Sequence, residues 1–396
     1  MDSHDHRAIG NRLDLFHQQD DAPGMVFWHP KGATLYRILE EYIRVRMRGH
    51  GFSEVRTPQL LIRSLWERSG HLEKFGDSMF MVSDGERPLA LKPMSCPGHI
   101  QIFNKKIRSY RDLPIRLCEL GACHRNERSG ALAGLMRTRA FTQDDAHIFC
   151  SGDQIEDEVA RFCVLMRAIY SDFGFPDFDV GFSTRPSVRA GSDAVWDRAE
   201  TALAAAARRS GLDYRQQPGE GAFYGPKLEF MLRDRLGRGW QCGTIQLDLV
   251  LPERLDAEYV EATGQRVRPV MIHHAVLGSL ERFVAILLEH YEGNLPLWLA
   301  PEQVVCLPVG EKHLEYARHV AAAFERAELR VVVDERSESL SRRLVSAFDS
   351  GAPVFVAVGG REEREGSVSV RRRTGKPVTM SIADAIQELR SEARLR

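Results

Sequence analysis

An arginine-rich loop between two strand-like runs is the first feature of this sequence that could perform chemistry. The runs cover residues 114–124 and 138–150, and the loop region carries Arg128, Arg137 and Arg139. Guanidinium groups match phosphate oxygens in shape and charge, so the loop could bind an anion. A solvated charged loop would have the same composition, and the residue types alone leave both interpretations open.

A strand-to-helix junction at residues 278–282, Gly-Ser-Leu-Glu-Arg, is the second feature. The amino terminus of a helix attracts anions, and Arg282 lies one turn inside it. Such junctions are also common in purely structural positions. A third anion-binding candidate is the basic run 371–376, which could contact a phosphodiester backbone or form a solvated hairpin turn.

Cysteine and histidine form another group, represented by Cys96, His99, His147, His273 and His274. Adjacent strand residues face opposite sides, so only one of His273 and His274 can point at a given site. No local ligand spacing such as Cys-x-x-Cys is present. Spacing alone therefore favours scattered histidines over a metal site.

Length, composition and charge limit the class of protein. At roughly 150 residues per domain, 396 residues correspond to about two or three domains. Lysine and arginine total 54 against 55 acidic residues, which excludes binding of nucleic acid through bulk charge. The 7 cysteines have no regular spacing, which favours a reducing compartment. No long apolar run or signal-peptide pattern is found, so we expect a cytoplasmic protein without a membrane partner.

The pattern of elements changes near residue 300. Before it, strands follow one another between helices, which predicts an α+β domain with an antiparallel sheet flanked by helices. After a linker at 294–301, strands and helices alternate, which predicts a smaller α/β domain. The boundary between the two domains is predicted at 298/299.

The sequence resembles the threonyl-tRNA synthetases, which are class II aminoacyl-tRNA synthetases, over almost its whole length. Seven stretches carry the resemblance: 22–29, 91–103, 123–127, 139–149, 219–227, 240–248 and 271–283. It implies the class II fold, a catalytic domain at 1–298 and an anticodon-binding-like domain at 299–396. It also implies a homodimer, with the first class II motif, near 51–58, at the interface. The family's N-terminal editing domain has no counterpart, so no editing in cis is expected.

The implied reaction activates L-threonine with ATP and Mg²⁺, giving threonyl-adenylate, and then transfers the threonyl group to tRNA(Thr). Arg125 corresponds to the clamp on the α-phosphate and carboxylate, Arg282 to the γ-phosphate contact and Arg137 to a second phosphate contact. Phe141 is expected to stack on adenine, and Glu127 is expected to accept a hydrogen bond from the amino group of adenine. The complete set of implied ATP-binding residues is Arg125, Glu127, Arg137, Phe141, Gln241, Thr244, Gly278 and Arg282.

The resemblance also implies one Zn²⁺ per subunit, held by Cys96, His147 and His273. Three protein ligands leave a metal position open, as in catalytic sites, and Asp145 would accept from the threonine hydroxyl. A site built for a hydroxyl rejects valine by roughly 10⁴–10⁵, whereas serine, which lacks only a methyl, differs by roughly 1–3 kcal/mol. We therefore expect measurable activation of serine. The implied substrate-binding residues are Met94, Gln143, Asp145, Tyr224, Gln241 and Gln246.

His71 and Lys227 match family positions near the terminal ribose and complete the catalytic candidates with Arg125 and Arg282. For His71 we hypothesise proton handling during transfer, and the alternative is a partly exposed histidine after Gly70.

Several positions depart from the family pattern. Arg128 replaces a common Pro, Ala133 a common His and His274 a common Arg. Residues 336–341, Arg-Ser-Glu-Ser-Leu-Ser, replace a pattern close to Arg-Asn-Glu-Lys-Ile-Gly that helps to read the anticodon, although Glu362 and Arg371 occupy positions used for anticodon bases.

Three functions therefore stay open. The first is a threonine–tRNA ligase. The second is a paralogue that activates threonine or another β-hydroxy amino acid for a different acceptor, or that serves as an inhibitor-resistant copy. The third is a catalytically silent RNA-binding or regulatory protein, which the intact motif arginines and zinc ligands disfavour.

Overall fold

The computed structural model describes residues 3–83, 85–234 and 237–394. The chain divides into two compact units. The first is drawn from Met1–Gln19, Val26–Tyr42 and Ala285–Arg396, and the second from Asp20–Met25 and Ile43–Val284. The domain boundary at 298/299 stays a prediction.

The strands of the described residues are numbered β1 to β21 in chain order. They are Phe16–His17, Phe27–Trp28, Ser53–Glu54, Leu60–Ile62, Met81–Ser83, Pro88–Leu91, Arg108–Ser109, Ile115–His124, Ala140–Cys150, Phe178–Ser183, Arg215–Gln217, Lys227–Arg233, Gly239–Asp248, Tyr259–Val260, Arg266–Val267, Val270–Ala275, Val304–Pro308, Val331–Val333, Val354–Val358, Ser367–Arg372 and Val378–Ser381.

The helices of the described residues are numbered α1 to α13 in the same way. They are His6–Arg12, Pro30–Gly49, Arg63–Ser69, His71–Phe75, Cys96–Asn104, Ile155–Asp172, Asp193–Arg209, Leu251–Arg254, Leu280–His290, Leu314–Arg326, Leu340–Asp349, Gly360–Glu365 and Ile382–Ala393. No helix of the described residues is both long and apolar enough to span a bilayer.

An eight-stranded sheet with the order β11-β10-β12-β13-β16-β9-β8-β3 dominates the second unit. Its central pairings are all antiparallel, and only the pairs at the two edges, β10 with β11 and β3 with β8, are parallel. Helix α6 buries an apolar stripe, and its Phe162 contacts Phe230 and His274 of the sheet. The predicted antiparallel sheet with flanking helices is confirmed.

A β-bulge interrupts the pairing of β12 with β13. Phe230 pairs with Gly243, whereas the next residue, Met231, pairs with Gln241, so Cys242 is an extra residue in β13. An extra residue reverses the alternation of side chains along a strand. Gln241 therefore shares a face with Thr244 and Gln246.

A five-stranded sheet in the first unit has the order β18-β17-β19-β20-β21. β17 pairs in parallel with β18 and β19, and the last two strands are antiparallel additions. Its core is closed by Val320 and Phe324 of α10 and Leu389 of α13. The prediction of a C-terminal α/β domain is confirmed.

Some predicted boundaries were wrong. The sequence of residues 97–110 predicts one helix, but α5 ends at Asn104. Arg108 and Ser109 pair with β14, and Ser109 then caps a 3-10 turn with Asp112. Asp84-Gly85 between two apolar runs predicts a hairpin over residues 79–91. The hairpin is present as β5 and β6, and Asp84 of the predicted turn lies outside the described residues.

Candidate active site

Strand β9 carries several of the candidate site residues. Its pairing with both neighbours is regular, so every second side chain, those of Phe141, Gln143, Asp145 and His147, lies on the same face of the sheet. We call this the site face. His273 lies on it as the cross-strand partner of His147, and His274 therefore faces the opposite side, as predicted, where it contacts Phe52 and Phe162.

A cleft of about 390 Å³ opens over one end of the site face. The structure brings all eight predicted ATP-binding residues to its wall, together with Gln143. The complete lining is Arg125, Glu127, Met136, Arg137, Thr138, Phe141, Gln143, Gln241, Cys242, Thr244, Gly278, Ser279 and Arg282.

Three arginines give the cleft its positive charge, and each is oriented by neighbouring groups. The Arg125 guanidinium lies over the rings of Phe75 and Phe141, at 5.4 and 5.1 Å. Arg282 donates from Nε to the Met136 carbonyl at 3.0 Å, and Arg137 pairs with Glu127 at 2.9 Å. The arginine-rich loop thus turns part of its charge into the cleft, whereas a purely solvated loop would not.

Two acidic residues that the sequence did not single out fix the Gly278 junction. Asp144, on the back of β9, accepts from the backbone N–H groups of Val276, Leu277 and Gly278 at 2.8–2.9 Å. Burial raises the pKa of Asp144 to about 7, although these three N–H groups oppose the shift. Glu281 accepts from the Thr142 N–H, so β9 and the start of α9 hold each other.

Cys96, His147 and His273 converge at the other end of the site face, although they are far apart in sequence. Their candidate ligand atoms all lie within 4.8 Å of one another, and all three residues are buried. Cys96 begins helix α5, whereas the two histidines are paired across β9 and β16. Scattered histidines, the interpretation that spacing alone favoured, are therefore ruled out for these two residues.

The donor set fits a zinc ion. Nδ1 of His273 is buried and has no hydrogen-bond partner among the described residues, while its Nε2 faces Asp248 Oδ2 at 2.9 Å. Burial raises the pKa of the Cys96 thiol well above its usual range and lowers that of His147 well below its own. His147 therefore has the neutral form that a metal ligand needs, and a dication would supply the charge that a buried thiolate lacks.

The predicted amino-acid-binding residues divide between this cluster and the cleft. The Tyr224 ring stacks on His273 at 4.7 Å, and its hydroxyl donates to Gln246 Oε1 at 2.6 Å. Asp145 is buried beside the cluster, and Met94 is partly buried against the same core. Met94, Asp145, Tyr224 and Gln246 thus lie near the cluster, whereas Gln143 and Gln241 line the cleft.

The remaining catalytic candidates differ in their surroundings. His71 is fully buried, and burial lowers its pKa to about 3, so the alternative of a partly exposed histidine is wrong. Its Nε2 lies 3.2 Å from Cys96 Sγ and its Nδ1 2.8 Å from Ser69 Oγ. Lys227 donates to Glu229 at 2.7 Å on the site face. A role for either residue at the ribose stays a prediction.

The two anticodon candidates lie in the first unit. Glu362 accepts from the Gly359 N–H at 2.9 Å at the start of α12. The Arg371 guanidinium lies 5.4 Å from the centre of the Phe348 ring. In the altered segment, Arg336 binds the Asp334 carboxylate through two nitrogens, at 2.9 and 2.6 Å.

Comparisons with known proteins agree with this geometry. The family model for the "tRNA synthetase class II core domain (G, H, P, S and T)" matches residues 80–291, and the model for the "Anticodon binding domain" matches residues 303–392. The fold and the site thus define a class II synthetase core followed by an anticodon-binding domain.

Individual relatives narrow the assignment. The threonine–tRNA ligase of Caulobacter sp. (strain K31) is 56% identical over 98% of this chain and 59% of its own length. A crystal structure described as the RNA-binding domain of threonyl-tRNA synthetase from Cryptosporidium parvum Iowa II has a TM-score of 0.95 and 41% identity over 98% of both chains. A putative threonyl-tRNA synthetase from Aeropyrum pernix has a TM-score of 0.85 and 30% identity over 98% of this chain and 96% of its own.

The chain belongs to the class II aminoacyl-tRNA synthetases and, within them, to the threonyl-tRNA synthetase family. It spans about three fifths of the length of the curated relatives it matches.

Proposed function

We propose that this protein activates L-threonine with ATP and transfers the threonyl group to tRNA(Thr). The observation that carries the proposal is the combination, on one sheet face, of an arginine-lined cleft and a buried Cys/His/His cluster. An anion cleft alone would fit many nucleotide-binding proteins. The cluster beside it adds a means of selecting one amino acid.

In the activation step the carboxylate of threonine attacks the α-phosphate of ATP, and pyrophosphate leaves. Negative charge develops on the phosphate, and donors fixed in advance stabilise such charge more than mobile solvent does. Arg125, which packs against two aromatic rings, is suited to the α-phosphate and the attacking carboxylate. Arg282 and Arg137 are suited to the other phosphates, and Mg²⁺ accompanies the ATP.

Selection of the amino acid is assigned to the cluster of Cys96, His147 and His273. These three residues would hold Zn²⁺, which would act as a Lewis acid towards polar groups of the substrate. Asp145 accepts a hydrogen bond from the substrate hydroxyl. The Tyr224 hydroxyl and Gln246 orient one another at the pocket wall. An amino acid without a hydroxyl would leave the Asp145 carboxylate unsatisfied in a buried site.

Amino-acid-dependent pyrophosphate exchange tests this proposal, together with zinc analysis of the purified protein. We expect about one zinc per chain, exchange with threonine, and valine rejected by roughly 10⁴–10⁵. Serine should be activated with a kcat/KM lower by roughly 10–200-fold, because one methyl in a pocket contributes about 1–3 kcal/mol. Valine activated as well as serine would contradict selection through the hydroxyl.

A second candidate function is activation of threonine, or of another β-hydroxy amino acid, for a different acceptor. The altered segment at 336–341 favours it, because Arg336 is engaged by Asp334 and Ser339 accepts from the N–H of Arg342 at the start of α11. These contacts serve the protein itself rather than a base. Charging of tRNA(Thr) separates the two functions: exchange without charging would favour the second.

We also propose that the protein acts as a homodimer, as the resemblance implies. The expected contact is the first class II motif, near residues 51–58, where β3 forms one edge of the large sheet. Sedimentation equilibrium would give the mass of two chains if this is correct and of one chain if it is wrong.

A further inference from the structure

A buried chain of hydrogen bonds leads from His147 away from the metal cluster. Nδ1 of His147 lies 2.8 Å from Nδ1 of His99, and Nε2 of His99 lies 3.2 Å from Glu119 Oε2. His99 is completely buried, and Glu119 is 5% exposed. His99 belongs to the histidines that the sequence singled out, and the proposed reaction does not use it.

The carboxylate at the end of this chain is tightly held. Glu119 accepts from the Lys92 ammonium, from the Thr57 backbone N–H and from the Thr57 hydroxyl, each at 2.9 Å. Burial alone would raise the pKa of Glu119, but hydrogen bonds from His99, Thr57 and Lys92 lower it to about 2. Glu119 is therefore an ionised group that only accepts hydrogen bonds.

With both imidazoles neutral, these contacts allow only one arrangement of protons along this series of hydrogen bonds. Because Glu119 only accepts, Nε2 of His99 must carry a proton and donate it. A neutral imidazole has one donor and one acceptor, so Nδ1 of His99 accepts from Nδ1 of His147. His147 then carries its proton on Nδ1, and its Nε2 keeps the lone pair that binds a metal.

We propose that His99 and Glu119 are positioning residues that set the tautomer and ring orientation of the metal ligand His147. The inference rests on the proposed zinc site. His273 is oriented by the carboxylate of Asp248 directly, whereas His147 receives the same support through a second imidazole. Partners of this kind typically change metal affinity by about 10–100-fold when they are removed.

The affinity for zinc, measured by competition with a chromophoric chelator, tests the inference. Glu119→Gln and His99→Phe should weaken zinc binding by about 10–100-fold. His99→Gln should recover part of the loss, because its amide offers both an acceptor oxygen and a donor NH2 group. Glu158→Gln is the matched control. Glu158 is buried and forms two hydrogen bonds with Arg116, but it takes no part in the hydrogen bonds that join His147, His99 and Glu119. It should destabilise the fold and leave zinc affinity within about twofold of wild type.

A spectroscopic measurement on the unmodified protein keeps the inference testable if a variant does not fold. In ¹⁵N-histidine NMR of the zinc-loaded chain, His147 should carry its proton on Nδ1 and His99 on Nε2. The opposite tautomer of either residue would overturn the inference. Undiminished zinc affinity in both Glu119→Gln and His99→Phe would overturn it while leaving the zinc site intact. A wild-type protein that retains no zinc would overturn the site and the inference together.

Discussion

Replacement of Arg125 by lysine tests whether a planar, stacked cation drives the activation step. Lysine keeps the charge but cannot form two parallel hydrogen bonds to a phosphate or carboxylate. The loss of one charge-assisted hydrogen bond costs about 1.5–3 kcal/mol. The contacts of Arg125 with Phe75 and Phe141, at 5.4 and 5.1 Å, add about 0.5–1 kcal/mol each where they hold the side chain in place.

The lysine ammonium retains part of the ring contacts, so the net loss of transition-state stabilisation is about 2–4 kcal/mol. This corresponds to a loss of about 30–1,000-fold in kcat/KM. The assay is threonine-dependent pyrophosphate exchange, with urea unfolding as a check on the fold. Arg128→Lys is the matched control, because Arg128 is exposed, follows Arg125 in the same loop and does not line the cleft. The exchange rate of this variant should stay within about twofold of wild type. A folded Arg125→Lys protein that retains a third or more of the wild-type rate would refute the reasoning.

Three further perturbations test other parts of the molecule. Gly278→Ala forces a side chain onto a backbone with φ +77°, which should lower the free energy of unfolding by about 1–2 kcal/mol and also raise the KM for ATP. Gly264→Ala is the control, because Gly264 has φ +83° and open space around it. This control should show the backbone strain in urea unfolding without a change in the KM for ATP. His71→Ala should slow transfer to tRNA more than adenylate formation, and equal losses in single-turnover measurements would count against a transfer role. Phe348→Ala removes the ring beneath Arg371 and should raise the KM for tRNA by about 3–10-fold, since such a contact is worth about 1 kcal/mol, while pyrophosphate exchange stays unchanged; an unaltered KM for tRNA would contradict that role.

The local patterns of the sequence predicted individual strands and domains well, but they could not predict which distant residues come together in the fold. The strand-like runs at 114–124 and 138–150 predicted β8 and β9, and the change of pattern near residue 300 predicted the α/β domain. Spacing could not identify Cys96, His147 and His273 as a group, because only the pairing of β9 with β16 and the start of α5 bring them together. The family resemblance supplied that group, since it carries information on long-range contacts that periodicity lacks.

Two kinds of feature were beyond any local pattern. Gln241 faces the cleft because Cys242 is an extra residue in β13, and a strict alternation would have placed it on the other face. Asp144 holds the Gly278 junction through three backbone N–H groups on an element distant in sequence. Backbone partners have no sequence signature, so a residue of this kind is found only in coordinates.

The regular pairing of β9 has a consequence for how this site can change. An extended chain advances about 3.3 Å per residue, so Phe141 and His147 stand roughly 20 Å apart by covalent geometry alone. Inserting or deleting one amino acid between them would turn the cleft and the cluster to opposite sides of the sheet. Inserting two would keep both on one side but part them by a further ~7 Å. The separation between the cleft and the cluster is thus fixed by the number of residues in this part of β9. Substitution of side chains along the strand can be tolerated far more easily than insertion or deletion of residues.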